Sequence, residues 1–238
     1  FSDGKEFSVG NPLSTDYSGS NPLNVAFNND NPGPISINST KFVVNDGQLF
    51  AISGGDILFA GDAVIKGEKG GEIQLISTNN ILLDNSKIIL SSSGSQSASN
   101  ISLDASNTLS IKGDSSKPNR TAITASASGD SKSANINLNA GNITISDIAD
   151  ISINFSTNSD GEPKKGALNL TATDDIHILS GSEVKTLTQD INSTAANISI
   201  TSKAGTIKIS GQELFKHFIF GNQYHTSSIS SSQGGVGQ

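Results

Sequence analysis

Asn135-Ile136-Asn137-Leu138, followed by Ile143-Thr144-Ile145 and Ile151-Ser152-Ile153, sets three short runs of alternating character in one stretch of chain. In each run the apolar residues fall on every second position, the side-chain period of a β-strand with one buried face. The leading phrase recurs as Glu72-Ile73-Gln74-Leu75, Asn100-Ile101-Ser102-Leu103, Ala167-Leu168-Asn169-Leu170 and Asn197-Ile198-Ser199-Ile200. A repeat of about 30 residues built from short strands is the signature of a solenoid. With about three strands per unit and every apolar side chain inward, each unit closes into a triangular coil. Successive coils then pair in parallel at about 4.8 Å. The expected fold is therefore all-β: a right-handed parallel β-helix, the hand following from the crossover rule for parallel strands. An antiparallel sandwich would need a hairpin reversal at each turn, and two-residue Asn-Gly or Asp-Gly signals are too few.

Equivalent places in successive units put Ile73, Ile101, Ile136, Leu168 and Ile198 in one interior column. The other strands of the array are read at Leu109–Ile111, Ala122–Thr124, Ile176–Ile178, Val184–Leu187, Ile207–Ile209 and, delayed, Ser228–Ser230.

Composition agrees with such a thin core. Among 238 residues 34% are hydrophobic and 5% aromatic, few for an ordinary globular protein. Disorder is the usual reading of so polar a chain, but here Ile, Leu and Val alternate with Ser, Asn and Thr. Cys, Met and Trp are absent, which excludes a disulfide scaffold and a Cys-based zinc site. The formal net charge of −7 and the single Arg, Arg120, argue against nucleic acid as a partner. No apolar run approaches the ~18 residues of a membrane-spanning helix.

Two regions are expected along the chain. Residues 1–72 read as an irregular β region, because Asn11-Pro12, Asn21-Pro22 and Asn31-Pro32-Gly33-Pro34 favour turns. Its strands are expected at Val25–Phe27 and Ile35–Ile37, with more regular strands from Phe42 onward. Residues 73–238 read as the repeat array, interrupted near 212–225 by a Phe-rich insertion expected as a short helix or a folded-over loop. The chain opens without an initiator Met or a signal peptide, and a further unit is expected after Gln238, so it reads as a segment of a longer polypeptide.

Val44-x-x-Gly47-x-Leu49-x-Ala51-Ile52-x-Gly54-Gly55-Asp56-Ile57 with Gly70-Gly71-Glu72-Ile73-x-Leu75-x-Ser77 resembles the filamentous-haemagglutinin type exoproteins of Gram-negative two-partner secretion, especially the cyanobacterial ones. Phe27-Asn28-Asn29-Asp30-Asn31-Pro32-Gly33-Pro34-Ile35 and Gly181-Ser182-Glu183-Val184-Lys185-Thr186 are similar to further phrases of that family. The likeness covers most of residues 25–211. Ser-Ala-Asn or Gly-Ala-Leu stands where the family often has Gly-Gly-Asn, and the Phe-rich insertion has no counterpart. The resemblance implies a secreted or cell-surface β-helix passenger of a Gram-negative bacterium. An outer-membrane two-partner secretion transporter would be its export partner, adhesion or aggregation its role. Residues 1–72 would then be the distal part of the secretion domain.

Candidate sites are few. Phe215, Phe218, Phe220 and Tyr224 form the one concentrated aromatic stretch and are the candidate contact surface, with core packing as the alternative. The Ser-, Asp-, Lys- and Gly-rich loops 91–100, 113–121 and 157–166 are expected to project from one corner and to share in contact. Asn-x-Ser/Thr occurs at Asn38, Asn100, Asn119, Asn142, Asn154, Asn169, Asn192 and Asn197; Asn119 and Asn192, in loops, are the candidate glycosylation positions.

His177 alternates with Ile176 and Ile178 and should face solvent, and His217 with His225 lacks the carboxylates of a convincing zinc set. Asp174-Asp175 and Asp147 with Asp150 read as solvated turns, since no EF-hand or Gly-Gly-x-Gly-x-Asp pattern surrounds them. A glycosidase would need two carboxylates about 5–9.5 Å apart; Asp147, Asp150 and Asp175 are the candidates, with little basic company. The expectation is no enzyme activity, no cofactor and no metal. A structural and adhesive module with a cell-surface or polysaccharide receptor is the leading reading. A self-associating filament subunit and a carbohydrate-active enzyme are the alternatives.

Overall fold

The computed structural model describes residues 24–26, 32–94, 98–114, 122–129, 131, 133–156, 166–188, 195–217, 221–226 and 228–233. These residues contain strands and turns and no helix. The first coil is β1 (Asn24–Ala26), β2 (Ile35–Asn38) and β3 (Lys41–Val44). The second is β4 (Leu49–Gly54), β5 (Ile57–Ala60) and β6 (Val64–Gly67). The third is β7 (Gly71–Ser77), β8 (Asn80–Asp84) and β9 (Lys87–Ser93). The fourth is β10 (Ser99–Ala105), β11 (Thr108–Lys112) and β12 (Ala122–Ser128). The fifth is β13 (Ala134–Ala140), β14 (Asn142–Ser146) and β15 (Asp150–Ser156). The sixth is β16 (Ala167–Ala172), β17 (Ile176–Leu179) and β18 (Glu183–Thr188). The seventh opens with β19 (Asn197–Ser202) and β20 (Ile207–Ser210). A hairpin of β21 (Gln212–His217) and β22 (Gly221–Thr226) intervenes before β23 (Ser228–Gln233) completes that coil.

Up to β20 every third strand joins the same sheet, and β23 takes the place after β18. The first sheet runs β1-β4-β7-β10-β13-β16-β19, the second β2-β5-β8-β11-β14-β17-β20 and the third β3-β6-β9-β12-β15-β18-β23. All neighbours in these sheets are parallel, so the chain winds as a parallel β-helix with three strands per coil.

The interior is a set of stacked columns. Phe50, Ile73, Ile101, Ile136, Leu168 and Ile198 lie in register along the first sheet. Ile57, Ile81, Leu109, Ile143, Ile176 and Ile207 do so along the second. Ile65, Ile88, Ile123, Ile151, Val184 and Ile229 form the third column. The interior column expected from the repeat phrase is therefore present. Ile73, Ile101, Ile136 and Leu168 are fully buried, while Ile198, in the last described coil, is half-buried. Burying each such side chain contributes about 1.5–3 kcal/mol, which offsets the entropy of ordering short strands.

The coils of residues 24–67 belong to the same sheets as those that follow. The ladder from Leu49↔Glu72 to Gly54↔Ser77 runs straight across residue 72, so the described chain shows no architectural break there. Ile35/Ile37 and Phe42/Val44 supply enough alternation to join the array despite the Asn-Pro turns. Phe42 and Phe50 add an aromatic contact, with ring centroids 5.2 Å apart. At the entry to the third coil Gly71 takes φ +117°, and a Cβ there would lie 2.5 Å from the carbonyl oxygen of Gln48. Glycine is what this close approach of two coils requires.

The segment expected as helix or loop is instead an antiparallel strand pair, with Leu214 opposite Tyr224 and Phe215 opposite Gln223. Gln212–His217 has the length of a strand, and Gly221 opens the return strand. The three helical sheets make no place for the pair, so it stands as a separate two-stranded sheet.

Candidate binding surface

Because inward positions are mostly apolar, the alternate positions form outward ranks rich in Asn, Ser, Thr and Asp. On the first sheet Asn135 Nδ2 donates to Asn100 Oδ1 at 2.8 Å, and Asn169 Nδ2 donates to Asn137 Oδ1 at 2.9 Å. Asn139 Nδ2 donates to Asp104 Oδ1 at 2.6 Å, and Ser102 Oγ donates to Asp104 Oδ2 at 2.9 Å. Each bond joins one coil to the next or fixes a side chain within a coil, so the polar face is held as a rigid array.

A second ladder occupies the corner between the first and second sheets. From β5 onward each second-sheet strand is opened or immediately preceded by a short polar residue: Asp56, Asn80, Thr108, Asn142, Asp175 or Thr206. Asp56 Oδ1 accepts from the Asn80 N–H at 3.2 Å, and Asn80 Oδ1 from the Thr108 N–H at 3.2 Å. Asn142 Oδ1 accepts from the Asp175 N–H at 3.2 Å, and Asp175 Oδ1 from the Thr206 N–H at 2.7 Å. These side-chain oxygens satisfy turn donors of the following coil, the task that favours Asp and Asn at turns. The sequence signal for this ladder is a short polar residue placed immediately before Ile or Leu at the start of each second strand.

The same corner carries an open groove of about 400 Å³ across several coils. Its rail is one outward rank, Ile76, Asp104, Asn139 and Thr171, in mutual register. Gly141 lies in its lining, and Lys203 borders it from the seventh coil. The hollow follows from turn length. Gly141 and Asn142 alone separate Ala140 from Ile143, whereas Ser106, Asn107 and Thr108 separate Ala105 from Leu109. Thr173, Asp174 and Asp175 likewise separate Ala172 from Ile176. The fifth coil is thus one residue shorter at this corner than both neighbours. The shortened turn passes so close to the fourth coil that a Cβ on Gly141 would meet the Asn107 carbonyl oxygen at 2.5 Å.

The residues singled out from sequence are scattered. Phe215 and Tyr224 lie in the hairpin strands, and Phe218, Phe220, Asn119 and Asn192 lie outside the described residues. His217 and His225 are also in the hairpin, opposite Gly221 and Glu213 respectively. His177 is half-buried on the outward side between buried Ile176 and Ile178. The loops were expected at one corner, but their flanking strands place them at two. Of 91–100, residues 91–93 belong to β9 and 99–100 to β10; that connection and 157–166 follow third-sheet strands, whereas 113–121 connects β11 to β12. Most of 113–121 and 157–166 lies outside the described residues. Among the sequon residues, Asn100, Asn142 and Asn169 already use their side-chain amides in the ladders.

The candidate acids do not form one cluster. Asp147 and Asp150 flank the turn between the second and third sheets, while Asp175 belongs to the first-to-second corner. Lys112 Nζ lies 3.9 Å from Asp147 Oδ2. Lys185 Nζ lies 3.8 Å from Asp150 Oδ2 and 2.5 Å from Glu183 Oε2. The Thr206 backbone N–H, and then its hydroxyl, hold the Asp175 carboxyl below the ordinary carboxylate range, with a smaller contribution from His177. Among the described residues no three His, Cys, Asp or Glu side chains are grouped to hold a metal ion.

The architecture defines the class: a three-sheet parallel β-helix with hydrogen-bonded polar faces. No family model, curated protein or solved structure matches the chain.

Proposed function

We propose that this chain is a structural and adhesive length of a large exoprotein, secreted to or displayed on a Gram-negative cell surface. The observation that carries the reading is the stack of seven parallel coils among the described residues, whose outward positions are bonded into polar ranks. Such a rod holds contact groups at fixed heights, and at about 4.8 Å per coil seven coils extend roughly 30 Å. The resemblance to two-partner secretion exoproteins supports export through an outer-membrane transporter. The lack of Cys suits a chain that folds after crossing a membrane without needing an oxidant. Action is by contact with a cell-surface or polysaccharide receptor and not by turnover; Phe215, Phe218, Phe220 and Tyr224 are offered as part of the contact surface.

Deleting the segment from the full-length gene, with its transporter in place, tests this reading. The expected result is surface exposure of the remaining protein with reduced adherence or aggregation. Unchanged adherence, or release of reducing ends from a polysaccharide by the purified chain, would overturn it. Phe218→Ser with Phe220→Ser separates contact from packing, since loss of adherence at an unchanged melting temperature marks a contact role.

Self-association is a second reading, favoured by one observation. In the last described coil Ile207 and Ile209 are 46% and 43% exposed. Parallel edge strands with apolar side chains are templates for further pairing. Sedimentation over a hundredfold range of concentration, with Ile207→Lys as control, distinguishes the two.

A further inference from the structure

We infer that the groove beside Gly141 is a binding site for a hydroxyl-rich glycan chain lying along the solenoid axis. The inference rests on the adhesive reading and gives it a ligand class.

Four observations carry it. First, the groove is produced by a turn one residue shorter than those of both neighbouring coils, not by loose packing. Second, its rail presents Asp104, Asn139 and Thr171 in a single rank, one per coil, at a spacing of about 4.8 Å. A linear glycan offers hydroxyls at comparable intervals, so one ligand can meet carboxylate, amide and hydroxyl in succession. Third, the polar groups are held in place but not used up. Asp104 accepts one bond on each oxygen, from Asn139 and from Ser102, and a carboxylate oxygen can accept a second. Fourth, Ile76, 39% exposed, continues the rank at one end and offers an aliphatic surface to the C–H face of a sugar. Lys203 borders the groove toward the other end and makes no ion pair among the described residues.

The backbone argues against a peptide. The Asn142 N–H is bonded to the Asn107 carbonyl and the Asp174 N–H to the Gly141 carbonyl, at 2.8 Å each, so these turn groups are already committed between coils. A peptide adding as a strand needs free main-chain partners. An anionic polymer would meet Asp104 in the middle of the rail. Hydroxyls that both donate to Asp104 and accept from Asn139 fit the set.

The test titrates the 238-residue chain with cellohexaose, xylohexaose and mannohexaose, followed by calorimetry and by amide chemical shifts. At least one oligosaccharide should bind, shifting the amides of residues 104, 139 and 171. Thr171→Trp, which fills the groove from an outward position, and Asn139→Ala, which removes a donor, should each weaken binding at least tenfold. Circular dichroism should stay that of the parent chain, and if one variant fails to fold the other decides. Failure of all the oligosaccharides to bind, or undiminished binding by the folded variants, overturns the inference. In the full-length protein, adherence that survives Thr171→Trp but not deletion of the whole segment would overturn the groove alone and leave the adhesive reading standing.

Discussion

Asp175 Oδ1 accepts from both the backbone N–H and the hydroxyl of Thr206, at 2.7 and 2.9 Å, and so ties the sixth coil to the seventh. Both bonds favour the charged carboxylate, which is why its pKa lies below the ordinary value. A carboxyl with a depressed folded-state pKa contributes stability above its unfolded pKa and loses it as pH falls through the folded value. Hydrogen exchange at the Thr206 amide should therefore accelerate as pH drops below about 4, beyond the intrinsic pH effect. Asp175→Ala should produce the faster exchange already at neutral pH. Protection at Asn107, whose N–H is bonded to the Asn79 carbonyl in the preceding coil, should be unchanged in either case. Equal protection of Thr206 in the variant would show that the side chain contributes nothing there.

A second expectation concerns position along the rod. Ile136 is fully buried with a coil on each side, so Ile136→Asp leaves an unpaired charge in the core and should cost about 3–5 kcal/mol. Ile198 holds the same column position but is half-buried, and its new carboxylate can reach water. Ile198→Asp should therefore cost markedly less. Urea denaturation of both variants measures the difference; equal losses would mean that the column is not open at the seventh coil.

Much of this was legible in the sequence, and the reason lies in particular residues. Ile73, Ile101, Ile136 and Leu168 announce their register because a one-residue slip would turn every one of them outward. The corner ladder was not read, although Asp56, Asn80, Asn142 and Asp175 each precede an Ile. In sequence such residues look like ordinary turn formers, and only stacking shows that each oxygen serves the next coil. The groove was hidden for a similar reason. A turn shorter by one residue at Gly141 has no meaning until its neighbours' turns are placed beside it. The hairpin was missed because Gln212–His217 and Gly221–Thr226 carry no strict apolar alternation and no two-residue Asn-Gly or Asp-Gly signal joins them.

Gly71 supplies a third prediction. Its φ of +117° and the 2.5 Å approach of the Gln48 carbonyl oxygen leave no room for a Cβ. Gly71→Ala should destabilise the second-to-third coil junction by more than about 1 kcal/mol, well beyond the ordinary Gly/Ala difference. Gly94 is the control: it also has positive φ, +59°, but nothing stands within 4 Å of its Cβ position. Gly94→Ala should show only the cost of the backbone conformation. A thermal melt that ranks the two in the opposite order would disprove the close-approach argument.

The last prediction concerns a polar residue inside the apolar coil. Thr186 is fully buried at an inward position of the third sheet, and its Oγ1 donates to the Ala196 carbonyl at 2.8 Å. This bond reaches from the third strand of the sixth coil to the approach of the seventh, so it anchors the chain where it re-enters the first sheet. Thr186→Val keeps the shape and removes the donor. Leaving a buried carbonyl without that partner costs about 1–3 kcal/mol, more than the added methyl recovers. Thr186→Ser keeps the donor and loses only a methyl group, worth about 1 kcal/mol. If the hydroxyl matters, Val should be the less stable replacement and should also speed exchange at Asn197, whose N–H is bonded to the Gly166 carbonyl at 3.2 Å. If Val proves as stable as the parent in urea, Thr186 is there for its shape alone.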